Sequence, residues 1–225
     1  MPTTTWERLD PRRRNAVLRA AEAEFGACGF SHGSLNVIAR EAGVAKGSLF
    51  QYFEDKADLY SYVSDLASQR IRADMEAALP SLGFERGFWP ALRRLTHVWV
   101  AYFDDHPLEL AVTAAVNLEP DMAARSAVRE AVNRHYIEVL RPLLEAAQGT
   151  GDIRADADLD TLLALLLLVL PHLALAAHSP GLDPLMGLSS PDPAVATSGI
   201  DRLVLALEHA FGPSVALPAT SRDRR

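Results

Sequence analysis

The chain has 225 residues, 49% of them apolar and 23% charged, and a formal charge of −7. This composition excludes a disordered polyelectrolyte, and one cysteine, Cys28, excludes an internal disulfide and a cysteine-rich zinc site. The opening MPTTTWERLDPRRR contains no apolar run, so no secretory signal is expected and the expected compartment is the cytoplasm.

Charge is unevenly placed. Residues 1–60 carry 8 Lys/Arg and 8 Asp/Glu, a net of zero, whereas the remainder carries 14 and 21. Both lysines of the chain, Lys46 and Lys56, fall within ten positions of each other.

Strand signals are nearly absent, and helical periodicity recurs from end to end. Val17, Ala21, Phe25 and Cys28 share one face of a first helix, which Gly29 stops. Ser34 is placed to cap a second helix whose buried face holds Leu35, Ile38, Ala39 and Ala42. After Gly43 a third, short helix spans 45–52. Asp55 caps a long fourth helix reaching about residue 79, with Asp58 in its first turn where a carboxylate suits the helix dipole.

Beyond Pro80, Phe88, Leu92, Leu95, Trp99 and Phe103 form one stripe, and a short helix covers 108–117. A longer helix follows Pro120 with Val128, Val132, Tyr136, Val139 and Leu143 inward; Pro142 is expected to kink it and Gly149-Thr150-Gly151 to end it. Asp158 caps the most apolar helix, Leu159–His178. Residues 162–177 carry no formal charge, but they fall short of the roughly 20 residues of a span, and Pro171 and His172 interrupt them. That helix is therefore expected to be buried by neighbours, a partner subunit included, and not to cross a membrane. A Pro/Gly-rich loop over 179–191 leads to Asp192-Pro193 and a last helix carrying Ile200, Leu203, Val204, Leu207 and Phe211 on one side. The tail from Pro213 is expected to fray.

The predicted fold is all-α: an N-terminal three-helix helix-turn-helix head and a C-terminal helical bundle, about nine helices in all. The predicted domains are 10–56 for the head and 57–212 for a ligand-binding and dimerisation domain.

The stretch most informative about function is IAREAGVAKGSLFQYF, residues 38–53. Two short helices flank a turn at Gly43, a position suited to positive φ, and such a pair presents its second helix to a major groove. Ala45, Leu49 and Phe53 at i, i+4 and i+8 should pack inward, leaving Lys46, Gly47, Phe50 and Gln51 outward. A glycine costs about 1 kcal/mol in a helix relative to alanine. Gly47 is thus understandable if a side chain there would hold the helix off a DNA backbone.

Residues 38–59, with VLRAAEAEF at 17–25 and Gly29-Phe30, resemble the TetR family of transcriptional regulators. The resemblance implies a DNA-binding head and a divergent C-terminal domain that takes a small ligand and dimerises. It implies that Lys46 meets phosphate or a guanine edge, that Gln51 reads a base, and that Ser48 and Tyr52 contact phosphate or orient the helix. Gly47 and Phe50 lie on the same face, Lys56 binds phosphate with the N-terminus of its helix, and Ser34 is a second helix-start contact. Arg12, Arg13 and Arg14 form a basic arm. Two positions depart from the family pattern: Phe50 replaces a tyrosine and loses a phenol-to-phosphate bond, and Ala45 replaces a serine and forgoes a cap worth about 1 kcal/mol.

The implied partners are a double-stranded DNA operator with an inverted repeat, a small-molecule effector and a second copy of the chain, joined through the last two helices. Trp99, Phe103, His135 and His172 are the candidate effector contacts, in a mostly apolar pocket that kinks at Pro142 and Pro171 would open. Repression relieved by a small hydrophobic ligand is the expected mechanism, with the long fourth helix transmitting the change. No catalytic residue, metal or cofactor is expected, since no HExxH, GxSxG, P-loop or dinucleotide fingerprint appears. The alternatives are a helical enzyme or a helical adaptor that does not bind DNA.

Overall fold

A computed structural model describes residues 2–213, and among them the chain forms ten α-helices and no strand. They are α1 (Thr4–Glu7), α2 (Pro11–His32), α3 (Leu35–Glu41), α4 (Lys46–Tyr52), α5 (Lys56–Ala78), α6 (Phe88–Asp105), α7 (Pro107–Leu118), α8 (Met122–Thr150), α9 (Leu159–His178) and α10 (Pro193–Phe211). The tail after Pro213 lies outside the described residues.

Local chemistry sets most of the helix ends. Asp10 accepts from the backbone N–H groups of Arg12 and Arg13, with Pro11 in the first helical position. Asp55 accepts from Asp58 N–H at 2.8 Å while Asp58 accepts from Glu54 N–H at 3.2 Å, a reciprocal cap that opens α5. Asp121, Asp158 and Asp192 cap α8, α9 and α10 in the same way. Gly29 takes φ +64° and breaks the helical path of α2 three residues before its end, and Gly151 takes φ +86° beyond α8. Helix α8 continues across Pro142 as far as Thr150.

Two main cores follow from the periodicities, and a smaller cluster of Leu173, Ala176, Leu188 and Ile200 joins α9 and α10. In the head, Val17, Ala21 and Phe25 of α2 meet Ile38, Leu49 and Phe53. In the body, the predicted stripe of Phe88, Leu92, Leu95, Trp99 and Phe103 is buried in full. Helix α5 serves both: Leu59, Tyr60 and Val63 belong to the head core, Ile71 and Met75 to the body core. Helix α7 also reaches into the head core through Val112 and Val116.

Three packing expectations are corrected. Cys28 is exposed, because the path of the helix turns at Gly29 just beyond it. Ala45 is exposed as the residue before α4, and Tyr52 takes the third inward place with Leu49 and Phe53. On α8 the most buried positions past Val128 are His135, Leu140, Leu144 and Ala147, with Val132, Tyr136, Val139 and Leu143 half-buried. That helix packs on α5, α7 and α9 together, so its buried face is wider than one stripe.

One element was not legible in advance. Helix α1 seats Trp6, 1% exposed, against Tyr52 and Phe53 at ring-centroid distances of 5.7 and 4.9 Å. Thr3 then donates from its backbone N–H to the Tyr52 carbonyl and from its hydroxyl to the Gln51 carbonyl. Carbonyls at the end of α4 would otherwise lack helical partners. A four-residue helix has too few positions to show a period, so Trp6 was its only sequence signal.

Candidate DNA-binding face and effector cavity

Helices α3 and α4 are joined by the tight turn expected at Gly43, which has φ +66°; Val44 N–H donates to the Ala39 carbonyl at 2.9 Å across it. Leu49, Tyr52 and Phe53 hold α4 against the head core. The opposite face carries Lys46, Gly47, Phe50 and Gln51, all exposed, with Phe50 at 50%. Half of the Phe50 surface is thus left open to solvent in the free protein. Among the described residues, no side-chain hydrogen bond or ion pair engages Lys46 or Gln51.

The remaining candidates sit around this face. Ser48 is half-buried beside it. Ser34 occupies the residue before α3, yet its hydroxyl caps nothing; its N–H donates instead to Glu24 at 2.8 Å. Tyr52 is buried, so of the two roles considered for it the orienting one fits the geometry. Lys56 lies 4.6 Å from the Phe30 ring and 3.4 Å from the Ser31 carbonyl, and Asp55 already caps its helix. In the free protein the Lys56 ammonium thus rests on α2, beside the start of its own helix. The three arginines of the expected basic arm lie on a helix. Arg12 and Arg13 form the first turn of α2, and Arg14 is tied to the Glu7 and Leu9 carbonyls at 2.7 and 3.2 Å over the Trp6 ring.

A methyl group built at Gly47 would meet nothing within 4 Å. The free protein therefore gives no reason for a glycine there. Gly47→Ala is expected to stabilise the fold by up to about 0.5–1 kcal/mol while weakening binding to DNA; urea denaturation and operator titration of the one variant check the opposite signs.

The head is held to the body by buried charges that the periodicity analysis missed. Arg70 of α5 donates to Glu109 of α7 at 2.6 Å and to Glu22 of α2 at 2.7 Å, and both carboxylates are buried. Burial by itself would lower the Arg70 pKa, but the two carboxylates outweigh it and hold the guanidinium above its ordinary value. Gly26 of α2 permits close approach of α7, since a methyl built there would lie 2.8 Å from the Ala111 side chain. Just past α7, Glu119 accepts from the backbone N–H of Phe30 at 2.7 Å and of Ser31 at 3.3 Å, and from the Ser31 hydroxyl at 2.5 Å.

Burial of Glu119 opposes its charge, yet the bonds from Ser31, Asp121 and Phe30 prevail and lower its pKa. A carboxylate lowered on folding contributes stability above its unfolded pKa and loses it as pH falls through the folded value. Glu119→Gln is expected to cost about 1–3 kcal/mol at neutral pH and to flatten the loss of stability on acidification below about pH 4.5. Denaturation across that range measures both.

In the body, a cavity of about 70 Å³ lies among α5 to α9. Trp99 and His135 line it, as expected, and so does Pro171. Phe103 does not; it is buried behind Trp99, edge-on at 5.1 Å. His172 is exposed on the outer side of α9, since one residue past Pro171 turns about 100° away. Pro142 is exposed and not part of the lining.

Residues 17–63 match the family model described as "Bacterial regulatory proteins, tetR family". The chain carries the DNA-binding head of the TetR family. The TetR head spans the whole of α3 and α4, and a chain with it is a DNA-binding transcriptional regulator. The HTH-type transcriptional repressor NicS of Pseudomonas putida is 29% identical over 147 residues, 64% of this chain and 68% of that one. The "Probable acrEF/envCD operon repressor" of Escherichia coli K12 is 26% identical over 159 residues, covering 69% and 71%. The same fold recurs beyond the TetR head. A TetR family regulator from Chloroflexus aurantiacus aligns over 95% of this chain and 100% of its own, with TM-score 0.62 and 22% identity. FadR from Bacillus subtilis, solved with stearoyl-CoA, aligns over 86% and 96%, with TM-score 0.64 and 17% identity. Among the described residues, α9 is the one helix long and apolar enough to cross a membrane, and half of it is buried against its neighbours.

Proposed function

We propose that the chain is a cytoplasmic repressor that binds an inverted-repeat operator as a homodimer and leaves it when a small apolar ligand enters the cavity. One observation carries the DNA side: α4 is anchored by Leu49, Tyr52 and Phe53 while Lys46, Gly47, Phe50 and Gln51 face outward, exposed. Lys46 supplies a phosphate contact, Gln51 reads a base edge, Phe50 offers an apolar contact to a thymine methyl, and Ser34 and Ser48 flank them. One head makes few contacts, and a two-fold pair doubles them over half-sites about 34–36 Å apart or a multiple of it. Exposed Leu168 on α9 and Leu205 on α10, at 72% and 41%, favour those two helices as the dimer interface.

The cavity supports release. Its free volume is well below the roughly 300 Å³ of an ordinary ligand site, so a ligand must part the helices around it. Helix α7 lines it with Val112 and Val116, which also belong to the head core, and is linked to α2 by way of Glu109, Arg70 of α5 and Glu22. Displacing α7 therefore moves the head, alongside any movement of α5. Relatives named as repressors favour repression over activation. A footprint on the DNA flanking the gene, with and without candidate compounds, tests this function. Protection of an inverted repeat that a cavity ligand abolishes is expected; protection unaffected by every ligand bound in the cavity refutes release. Light scattering showing only a 24.5 kDa species at micromolar concentration refutes the dimer.

A further inference from the structure

The polar groups around the cavity are not equally engaged. The Ser64 hydroxyl donates to the Tyr60 carbonyl and the Ser68 hydroxyl to the Ser64 carbonyl, both within α5. Trp99 donates to the Leu170 carbonyl at 2.7 Å. Asn117 donates to the Thr113 carbonyl at 2.8 Å, and Arg72 is paired with Glu76 and Glu138. All of these are spoken for by the protein itself.

Three neighbouring lining groups on α8 are not. Arg129 makes no ion pair or hydrogen bond among the described residues, although it lines an apolar cavity. Tyr136 lies seven positions on, hence on the same face, and its phenol likewise has no hydrogen-bond partner there. Burial pushes the Tyr136 phenol up, and the nearby Arg129 charge works against that rise, so the two groups share one local field. His135 is nine-tenths buried; its Nε2 faces Asp65 at 2.8 Å, while its Nδ1 is buried with no partner. Asp65 accepts from Nε2–H and is also approached by Arg134 at 3.4 Å. A free guanidinium and a free phenol therefore border one apolar space, with the His135 ring beside them.

We infer that the effector is an apolar organic acid, a monoanion with a hydrocarbon or aromatic body. Its carboxylate takes hydrogen bonds from the Arg129 guanidinium and the Tyr136 phenol. Its body lies along Ile71, Leu95 and Trp99. An alcohol would leave the guanidinium without a counter-charge, and an amine would set cation against cation. The inference rests on the cavity being the effector site.

Calorimetric titration of the full chain with octanoate and dodecanoate, against the alcohols and amines of the same lengths, separates the two statements. Hydrogen bonds to a charged group correspond to about a 10–100-fold difference in affinity. The acids are expected to bind at least about tenfold more tightly than the alcohols, with the amines weaker still. Arg129→Gln erases that preference and leaves alcohol affinity within about twofold, whereas Arg129→Lys keeps part of it. Arg129 is half-buried at the helix surface, so circular dichroism of both variants should match the parent. Alcohols or amines that bind as tightly as the acids, or an Arg129→Gln variant that keeps the acid preference, overturn the anionic assignment while the effector cavity stands. Failure of every probe to bind overturns both.

Discussion

Replacing Lys46 and Gln51 together with alanine lowers operator affinity about 100-fold or more, because a lost phosphate contact and a lost bidentate base contact sum to roughly 2–5 kcal/mol per head. The fold is expected to be indifferent. Both side chains are exposed and, among the described residues, unpartnered, and Gln51 meets Thr3 through its backbone carbonyl alone. Surface changes of that kind lie within about 0.5 kcal/mol, a shift of only a few degrees in Tm. The single variants then divide the labour. Lys46→Ala weakens all sequences alike and reduces the salt dependence by about one counterion per head, whereas Gln51→Ala relaxes preference at one base pair. Fluorescence anisotropy at two salt concentrations, on the footprinted operator and on a scrambled duplex, reads all three. Unchanged affinity in the double variant would remove α4 from the DNA interface.

Removing Arg70 is expected to have the largest effect on stability. Arg70→Met leaves Glu22 and Glu109 facing each other, at 5% and 7% exposure, with no cation between them. Breaking a buried ion pair from one side costs about 3–5 kcal/mol. Arg70 is itself 42% exposed on its side chain, so water relieves part of that cost and about 2–4 kcal/mol is expected. The combination Glu22→Gln, Arg70→Met, Glu109→Gln should recover most of the loss, because no unpaired charge remains. A loss below about 0.5 kcal/mol in urea denaturation would show that the three charges do not tie the head to the body. Since the same triad joins α2, α5 and α7, the combined variant is also expected to bind ligand and operator with weaker coupling between them. The comparison of operator affinity with and without ligand measures that coupling.

Much of the architecture was legible because it rests on local chemistry. Asp55, Asp158 and Asp192 are the caps that their spacing predicts, and the stripe from Phe88 to Phe103 is buried. Gly43 and Gly29 take the positive φ that punctuation at those points requires. The outward set on α4 is also as expected, because Leu49 and Phe53 define the inner face and 3.6 residues per turn assigns the rest. The cavity lining was less legible. Trp99 and His135 line the cavity, but Phe103 and His172 do not. Residue type alone cannot tell a ring that faces a cavity from one buried just behind it, or from one turned to the outside.

Helix count, caps and the outward side of α4 follow from periods of a few residues, so short-range sterics and hydrogen bonding suffice to specify them. Contacts across long separations do not. Glu119 caps a turn about 90 residues before it, Trp6 packs against the end of α4, and among the described residues no carboxylate from another helix pairs with Arg129. Each depends on where distant segments come to rest, which burial of two shared cores decides and no window of adjacent residues records.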